Sequence, residues 1–247
     1  MARFFVPAES WASGKLPEAE ARHASQVLRL GVGDRVEIFD GTGRAAQADV
    51  VEAGKNRVLF RVLQEWRQER PHPEIHLIMA LIKNERFDWL VQKATELGAA
   101  SIRPVEAERS VVKIGGKDAE RRRAKWMQVA VEAAKQCGHL VLPEIHAPAR
   151  PREAFEAAPA GLRGIPALRP GAVGLRDLLG NAPAAVTFAI GPEGDWAGAE
   201  MTAAFAAGFV PVDLGMHVLR SETAALYVLS VSSYHFHGGV GGGKGHP

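Results

Sequence analysis

The sequence predicts an α/β protein in which a small β-rich unit precedes a larger domain built on a mostly parallel sheet. Two observations carry this. The first ~70 residues read as short strands separated by turn residues, and from Ile75 onward strands alternate with helices. The stretch Arg67–Pro73 (RQERPHP), polar and twice broken by proline, separates the two rhythms. The boundaries expected are therefore 1–70, 73–237 and a glycine-rich tail, 238–247.

In the first unit the expected strands are Arg3–Val6, Arg35–Phe39, Ala45–Glu52 and Arg57–Leu63, with the turn Asp40-Gly41-Thr42-Gly43 between two of them. One helix, near Pro17–Leu28, starts at a proline whose missing N–H has no intrahelical partner to lose. The pattern suits a small β-barrel or sandwich. In the second domain Ile75–Leu81 is an apolar run suited to a buried parallel strand. Phe87, Leu90, Val91, Ala94 and Leu97 follow at helical spacing, closed by Gly98. Ser101–Val105 is the next strand. Trp126, Val129, Ala130, Ala133 and Cys137 mark a second amphipathic helix, closed by Gly138. Residues 148–183 carry no clear period. Two strand–loop–helix units end the domain: Val186–Ile190 into Gly198–Ala207, and Phe209–Leu214 into Glu222–Tyr234. The tail (GGVGGGKGHP) is low in complexity and expected to be disordered.

Composition narrows the function. The chain has 247 residues, 47% hydrophobic and 23% charged, an ordinary globular balance. Its single cysteine, Cys137, excludes an intramolecular disulfide and a cysteine-based structural zinc site. No apolar run approaches the ~18 residues that span a bilayer. The start, MARFFVPAES, lacks a secretory layout, so a soluble, cytoplasmic protein is expected. The net charge of +2 divides unevenly. Residues 1–150 hold 24 basic against 20 acidic side chains, and residues 151–247 hold 6 against 8. A basic front suits a polyanion and a charge-poor back suits a small ligand.

Several apparent motifs fail on context. Gly238–Gly245 nearly spells a phosphate-binding loop, but Gly245 stands where Ser or Thr must hold magnesium. His235 and His237 lack a third ligand, so no metal is expected. Gly31-Val32-Gly33 is a turn without the third glycine of a dinucleotide fingerprint. Cys137 lies on the apolar stripe of its helix and reads as core.

What remains is a pair of loops after the last two strands. One reads Gly191-Pro192-Glu193-Gly194-Asp195-Trp196 and the other Gly215-Met216-His217-Val218-Leu219-Arg220-Ser221. Ligands of open α/β sheets bind beyond the carboxyl ends of the strands. Glycine directly after a strand lets a ligand approach the backbone. Neither loop carries a lysine for phosphate, so they suit a neutral or cationic ligand such as an adenosine moiety.

The residues themselves point further. IGPEGDW, followed about twenty residues on by LGMHVLRSETAAL, resembles the signature of the knotted SPOUT methyltransferases, and most nearly the bacterial 16S ribosomal RNA uridine-N3 methyltransferase family. RHASQVLRLGVGDRVEIFDGTG, KNERFDWLVQKATELGAASIRPVEAERSVVK and EAAKQCGHLVLPEI resemble its other segments, so the likeness covers nearly the whole chain. The resemblance implies a PUA-like β-barrel joined to an α/β trefoil-knot domain, S-adenosylmethionine as methyl donor, and a homodimer acting on the RNA of the small ribosomal subunit. Ile190, Gly191, Glu193 and Gly194 would line one side of the cofactor pocket. Leu214, Gly215, Val218 and Leu219 would line the other, and Leu168 a third.

Uracil N3 must lose its proton before it attacks, leaving an imidate charge on two carbonyl oxygens. Arg220, placed before a helix with Ser221 as expected N-cap, is the candidate to stabilise that charge. Glu193 or Glu222 would take the proton, although Glu222 would equally complement the helix N-terminus. For RNA, the resemblance and the charge pattern select Arg22, His23, Arg29, Lys83, Arg86 and Lys93, beside the basic run Arg121-Arg122-Arg123. The sequence also departs from the family. Asp195, Trp196 and Ala197 stand where a glycine, an aromatic and often a serine are usual, and His139 and His217 replace arginines. Two rival readings follow: a knotted enzyme methylating ribose 2′-oxygen, and a ribosome binder that has lost catalysis.

Overall fold

A computed structural model describes residues 1–180 and 183–238, so most of the tail and its loop-like motif lie outside the described residues. The chain divides into two compact units, Met1–Arg70 with Val131–Leu142, and Pro71–Ala130 with the remainder.

The first unit is a four-stranded sheet in the order β1 (Ala2–Phe5), β2 (Arg35–Phe39), β3 (Arg44–Gly54) and β4 (Arg57–Arg67). β1 runs parallel to β2, and the other pairs are antiparallel. Register shifts at Gln47/Ala48 and Val50/Glu52 mark irregularities that bend the long β3–β4 ribbon. Beyond β4 the segment at Lys15 bridges to Leu59, continuing the sheet around its core. That core gathers Phe4, Trp11, Val36, Ile38, Val58 and Phe60.

A short helix absent from the sequence reading, α1 (Ala8–Trp11), buries Trp11. The expected helix at Pro17 is α2 (Glu18–Arg22), with Pro17 just outside it as the cap residue. It continues as a π-helical turn, His23–Val27. Residues 131–142, expected in the second domain, cluster instead with the first unit: Leu142 N donates to Gly41 O at 2.8 Å and Gly43 N to Leu140 O at 3.0 Å.

The second unit is a seven-stranded sheet in which every pairing is parallel. Its strands are β5 (Glu74–Ala80), β6 (Ser101–Val105), β7 (Glu144–Ile145), β8 (Leu162–Pro166), β9 (Val173–Gly174), β10 (Ala185–Ile190) and β11 (Val210–Asp213), ordered β7-β6-β5-β10-β8-β11-β9. The helices are α3 (Asn84–Glu96), α4 (Gly116–Cys137), whose residues from Val131 onward belong to the first unit, α5 (Pro151–Glu156), α6 (Leu175–Leu178), α7 (Gly198–Ala206) and α8 (Ser221–His237).

Successive side chains of a strand point to opposite faces. Ile75, Leu77 and Met79 of β5 therefore join Val186, Phe188 and Ile190 of β10 in a core with Phe87, Leu90, Trp126, Val228 and Leu229. Ile78 and Ala80 join Ala189 on the other face with Phe155, Trp196, Met201 and Phe209. Both faces are covered, which is why these strands read as unbroken apolar runs. Gly164 of β8 is the register partner of Phe188, and a Cβ there would stand 3.0 Å from that ring.

Cys137 departs from expectation. It is exposed at the last residue of α4, although Ala130, Ala133 and Ala134 before it are buried. No helix of the described residues is long and apolar enough to cross a membrane.

Candidate functional site

Strands β10, β8 and β11 are neighbours in the sheet, so the loops leaving their carboxyl ends converge. Between them lies a cavity of about 380 Å³, within the usual range of small-molecule sites, roughly 300–1,000 Å³. Leu168 borders it after β8, Ile190, Gly191 and Glu193 after β10, and Leu214, Gly215, Val218, Leu219 and Arg220 after β11. Eight of the nine positions expected for the cofactor thus face one space. The ninth, Gly194, does not line it, and its carbonyl instead accepts a hydrogen bond from Arg109 at 2.9 Å.

The loops have the shapes their residues allow. Gly215 adopts φ +109, a backbone conformation that L side chains rarely reach, and its N–H donates to Asp213 Oδ1 at 2.8 Å. Asp195 sits at φ +61, and Asp tolerates that region better than most residues. Its Oδ1 accepts from Trp196 N at 2.7 Å. Trp196 packs edge-on against Phe155 and lies under Gly191, where a Cβ would meet Trp196 Nε1 at 3.0 Å. Ala197 caps α7 without a hydroxyl. Glu200, at the third helical position, reaches back to accept from Ala197 N at 2.9 Å, which satisfies the cap residue's own N–H.

Ser221 is not the N-cap of α8. Arg220 holds that position with extended backbone, and Ser221 Oγ donates to Gly191 O at 2.7 Å, tying one loop to the other. The Arg220 side chain is exposed at the cavity and meets no carboxylate among the described residues. Glu193 is mostly exposed and is held by Arg86 at 2.7 Å. Glu222 does not line the cavity: it is buried, 3.6 Å from Arg86, with Oε2 lacking any partner.

Arg86, selected from the sequence as an RNA contact, thus bridges both candidate carboxylates. Two more of the RNA candidates are also tied to acids within the chain, Arg22 to Glu18 at 2.6 Å and Lys93 to Glu96 at 2.8 Å. His23 packs edge-on to Phe4, Arg29 is exposed at φ +55, and Lys83 is exposed before α3. Among the described residues no group of three or more His, Cys, Asp or Glu side chains forms a metal site.

Comparison with known proteins agrees with this layout. Residues 68–233 match the model of an RNA methyltransferase domain, and residues 16–63 that of an RNA methyltransferase PUA domain. Ribosomal RNA small subunit methyltransferase E of Synechocystis is 34% identical over 221 residues, covering 87% of this chain and 71% of its own length. The Neisseria gonorrhoeae protein of the same name, solved with S-adenosylmethionine, is 31% identical with a TM-score of 0.83, over 96% of this chain and 98% of that one. A Legionella pneumophila protein solved with the same cofactor is 30% identical with a TM-score of 0.86, over 95% and 98% of the two chains. With the matched model spanning residues 68–233, the chain belongs to the RNA methyltransferase family, its α/β unit paired with a PUA domain.

Proposed function

We propose that the protein transfers a methyl group from S-adenosylmethionine to N3 of a uridine in 16S ribosomal RNA, in the cytoplasm and as a homodimer. The observation that carries this reading is the cavity itself, where three glycine-bearing or apolar loops surround a space whose mouth holds an unpaired guanidinium. The donor set fits the cofactor. Leu168, Leu214, Val218 and Leu219 offer apolar surface for an adenosine, Gly191 and Gly215 bring backbone to the cavity wall, with open space beside Gly215, and among the described residues no lysine lines the space. When bound there, the sulfonium supplies an already activated methyl group.

The chain supplies position and charge. Arg220 stabilises the negative charge that spreads over the two uracil carbonyl oxygens when N3 loses its proton. Glu193, oriented by Arg86, accepts that proton. Glu222 lies behind it and shares the same arginine, so it acts through Arg86. Holding base and donor together accounts for much of the acceleration. Support for the dimer comes from Met216, 93% exposed between the cavity-lining residues Gly215 and His217 and not itself part of the cavity wall.

The test incubates the protein with labelled S-adenosylmethionine and small ribosomal subunits lacking the modification, then digests the RNA and identifies the nucleosides by mass. N3-methyluridine is expected, with sedimentation at micromolar concentration giving a dimer. A 2′-O-methyl nucleoside would overturn the substrate assignment. Cofactor binding without any product would favour a different RNA substrate or a silent ribosome binder.

A further inference from the structure

A second recess, of about 220 Å³, opens between the first turn of α3 and the early turns of α4. Asn84 and Asp88 line it from α3, and Arg121, Arg122, Lys125 and Trp126 from α4. Three cations thus face one carboxylate. Asp88 is fully engaged, with Lys125 Nζ on one oxygen and Trp126 Nε1 on the other at 3.1 Å. Arg121 turns to Asp118 at 2.9 Å. Arg122 is different. Among the described residues its only hydrogen-bond partner is the neutral side-chain oxygen of Asn84, its Nε is buried with no partner, and no carboxylate lies in ion-pair range. Lys83, immediately before Asn84, is exposed, and among the described residues no acid pairs with it.

A guanidinium with a buried N–H and no counter-ion is suited to an anion that presents several oxygens, which is the geometry of a phosphate group. The recess does not suit a whole nucleotide. Trp126 is 2% exposed with its N–H used by Asp88, so it offers no face on which a base could stack. It also has a structural link to the cavity. Arg86, in the same first turn of α3 as Asn84, holds Glu193 at the cavity lip. Contacts to the RNA backbone position a substrate, whereas contacts to the bases select it.

We propose that this recess seats a backbone phosphate of the RNA substrate. Arg122 is its principal ligand while the target base enters the cavity, and Lys83, one residue before Asn84, adds positive charge nearby. The proposal rests on the RNA-methylating reading above. The test is Arg122→Gln, which keeps a side chain able to meet Asn84, with Arg122→Lys as the charge-retaining control. Binding to small ribosomal subunits would be measured across a salt series, together with S-adenosylmethionine affinity and the melting temperature.

Arg122→Gln is expected to weaken subunit binding about tenfold and to flatten the log–log salt dependence by about 0.7–0.9, the loss of one phosphate contact. Arg122→Lys should restore the slope, and cofactor affinity and melting should stay unchanged in both. An unchanged salt slope in folded Arg122→Gln would overturn the proposal. So would a fall in melting temperature and cofactor affinity with the slope intact, since that marks a purely structural arginine. A parent protein that yields no N3-methyluridine, yet binds subunits with a slope that Arg122→Gln flattens, would sink the catalytic reading and support the phosphate seat.

Discussion

Replacing Arg220 with alanine is expected to lower single-turnover methylation of small subunits by about 10²–10³-fold, the usual loss when one donor to a developing oxyanion is removed. S-adenosylmethionine affinity should change little. The pocket walls that would hold the cofactor are mostly backbone and aliphatic side chains, whereas the Arg220 guanidinium is exposed at the mouth and, among the described residues, pairs with no acid. The fold should also survive, because Arg220 caps α8 through its backbone and makes no side-chain cap bond. Quenched-flow turnover with pre-bound cofactor separates the chemical step from binding. A variant with full turnover would move charge stabilisation elsewhere and leave Arg220 as a surface cation. Arg220→Lys should recover part of the rate, since it keeps the charge and loses the planar fork.

Phe188→Ala should cost about 3–5 kcal/mol of stability, the range for removing a buried aromatic ring. Against a total of roughly 5–15 kcal/mol this is a large share. Phe188 is fully buried at the middle of β10, paired in register with Leu77 on one side and Gly164 on the other. Gly164 leaves the space that the ring occupies, so truncation opens a hole that no neighbouring side chain on β8 can fill. Chemical denaturation followed by circular dichroism reads the effect. Below its melting range the variant should still bind cofactor, more weakly, because β10 ends in the Ile190-Gly191 edge of the cavity. A loss under about 1 kcal/mol would mean that the two faces of the sheet relax into the gap.

Much of the fold was legible because the central strands are covered on both faces. Burial on both sides leaves an apolar run with no alternation, and such runs stand out at Ile75–Leu81 and Val186–Ile190. Ser101–Val105 is observed with the bounds expected for it. β8 was not legible. Its sequence, LRGIP, contains a glycine and a proline that break the pattern, yet the strand lies between β10 and β11 and its end carries the third wall of the cavity. Leu168 was reached only through resemblance to relatives. β7 and β9, at two residues each, are too short to show a period.

The cavity loops were legible because glycine after a strand has a local cause. The pairing of Arg86 with Glu193 had no local sign, since it joins residues far apart in the chain that only the fold brings within 2.7 Å. For the same reason the run Arg121–Arg123 read as three equal surface charges. In the structure Arg121 and Arg123 each have an acid one turn away, and Arg122 does not.

The strands do not lie in the order in which they are made. β5 and β6 pair early, but β10 must enter between β5 and β8, and β11 must then close on the far side of β8 between it and β9. While the chain is still being synthesised, β5 and β8 therefore present bare strand edges and uncovered apolar faces, which are templates for pairing with other chains. The cavity cannot take shape until β11 and the loop after it have left the ribosome, since the ends of all three strands build it. Until then the chain carries unpaired strand edges that the finished sheet does not.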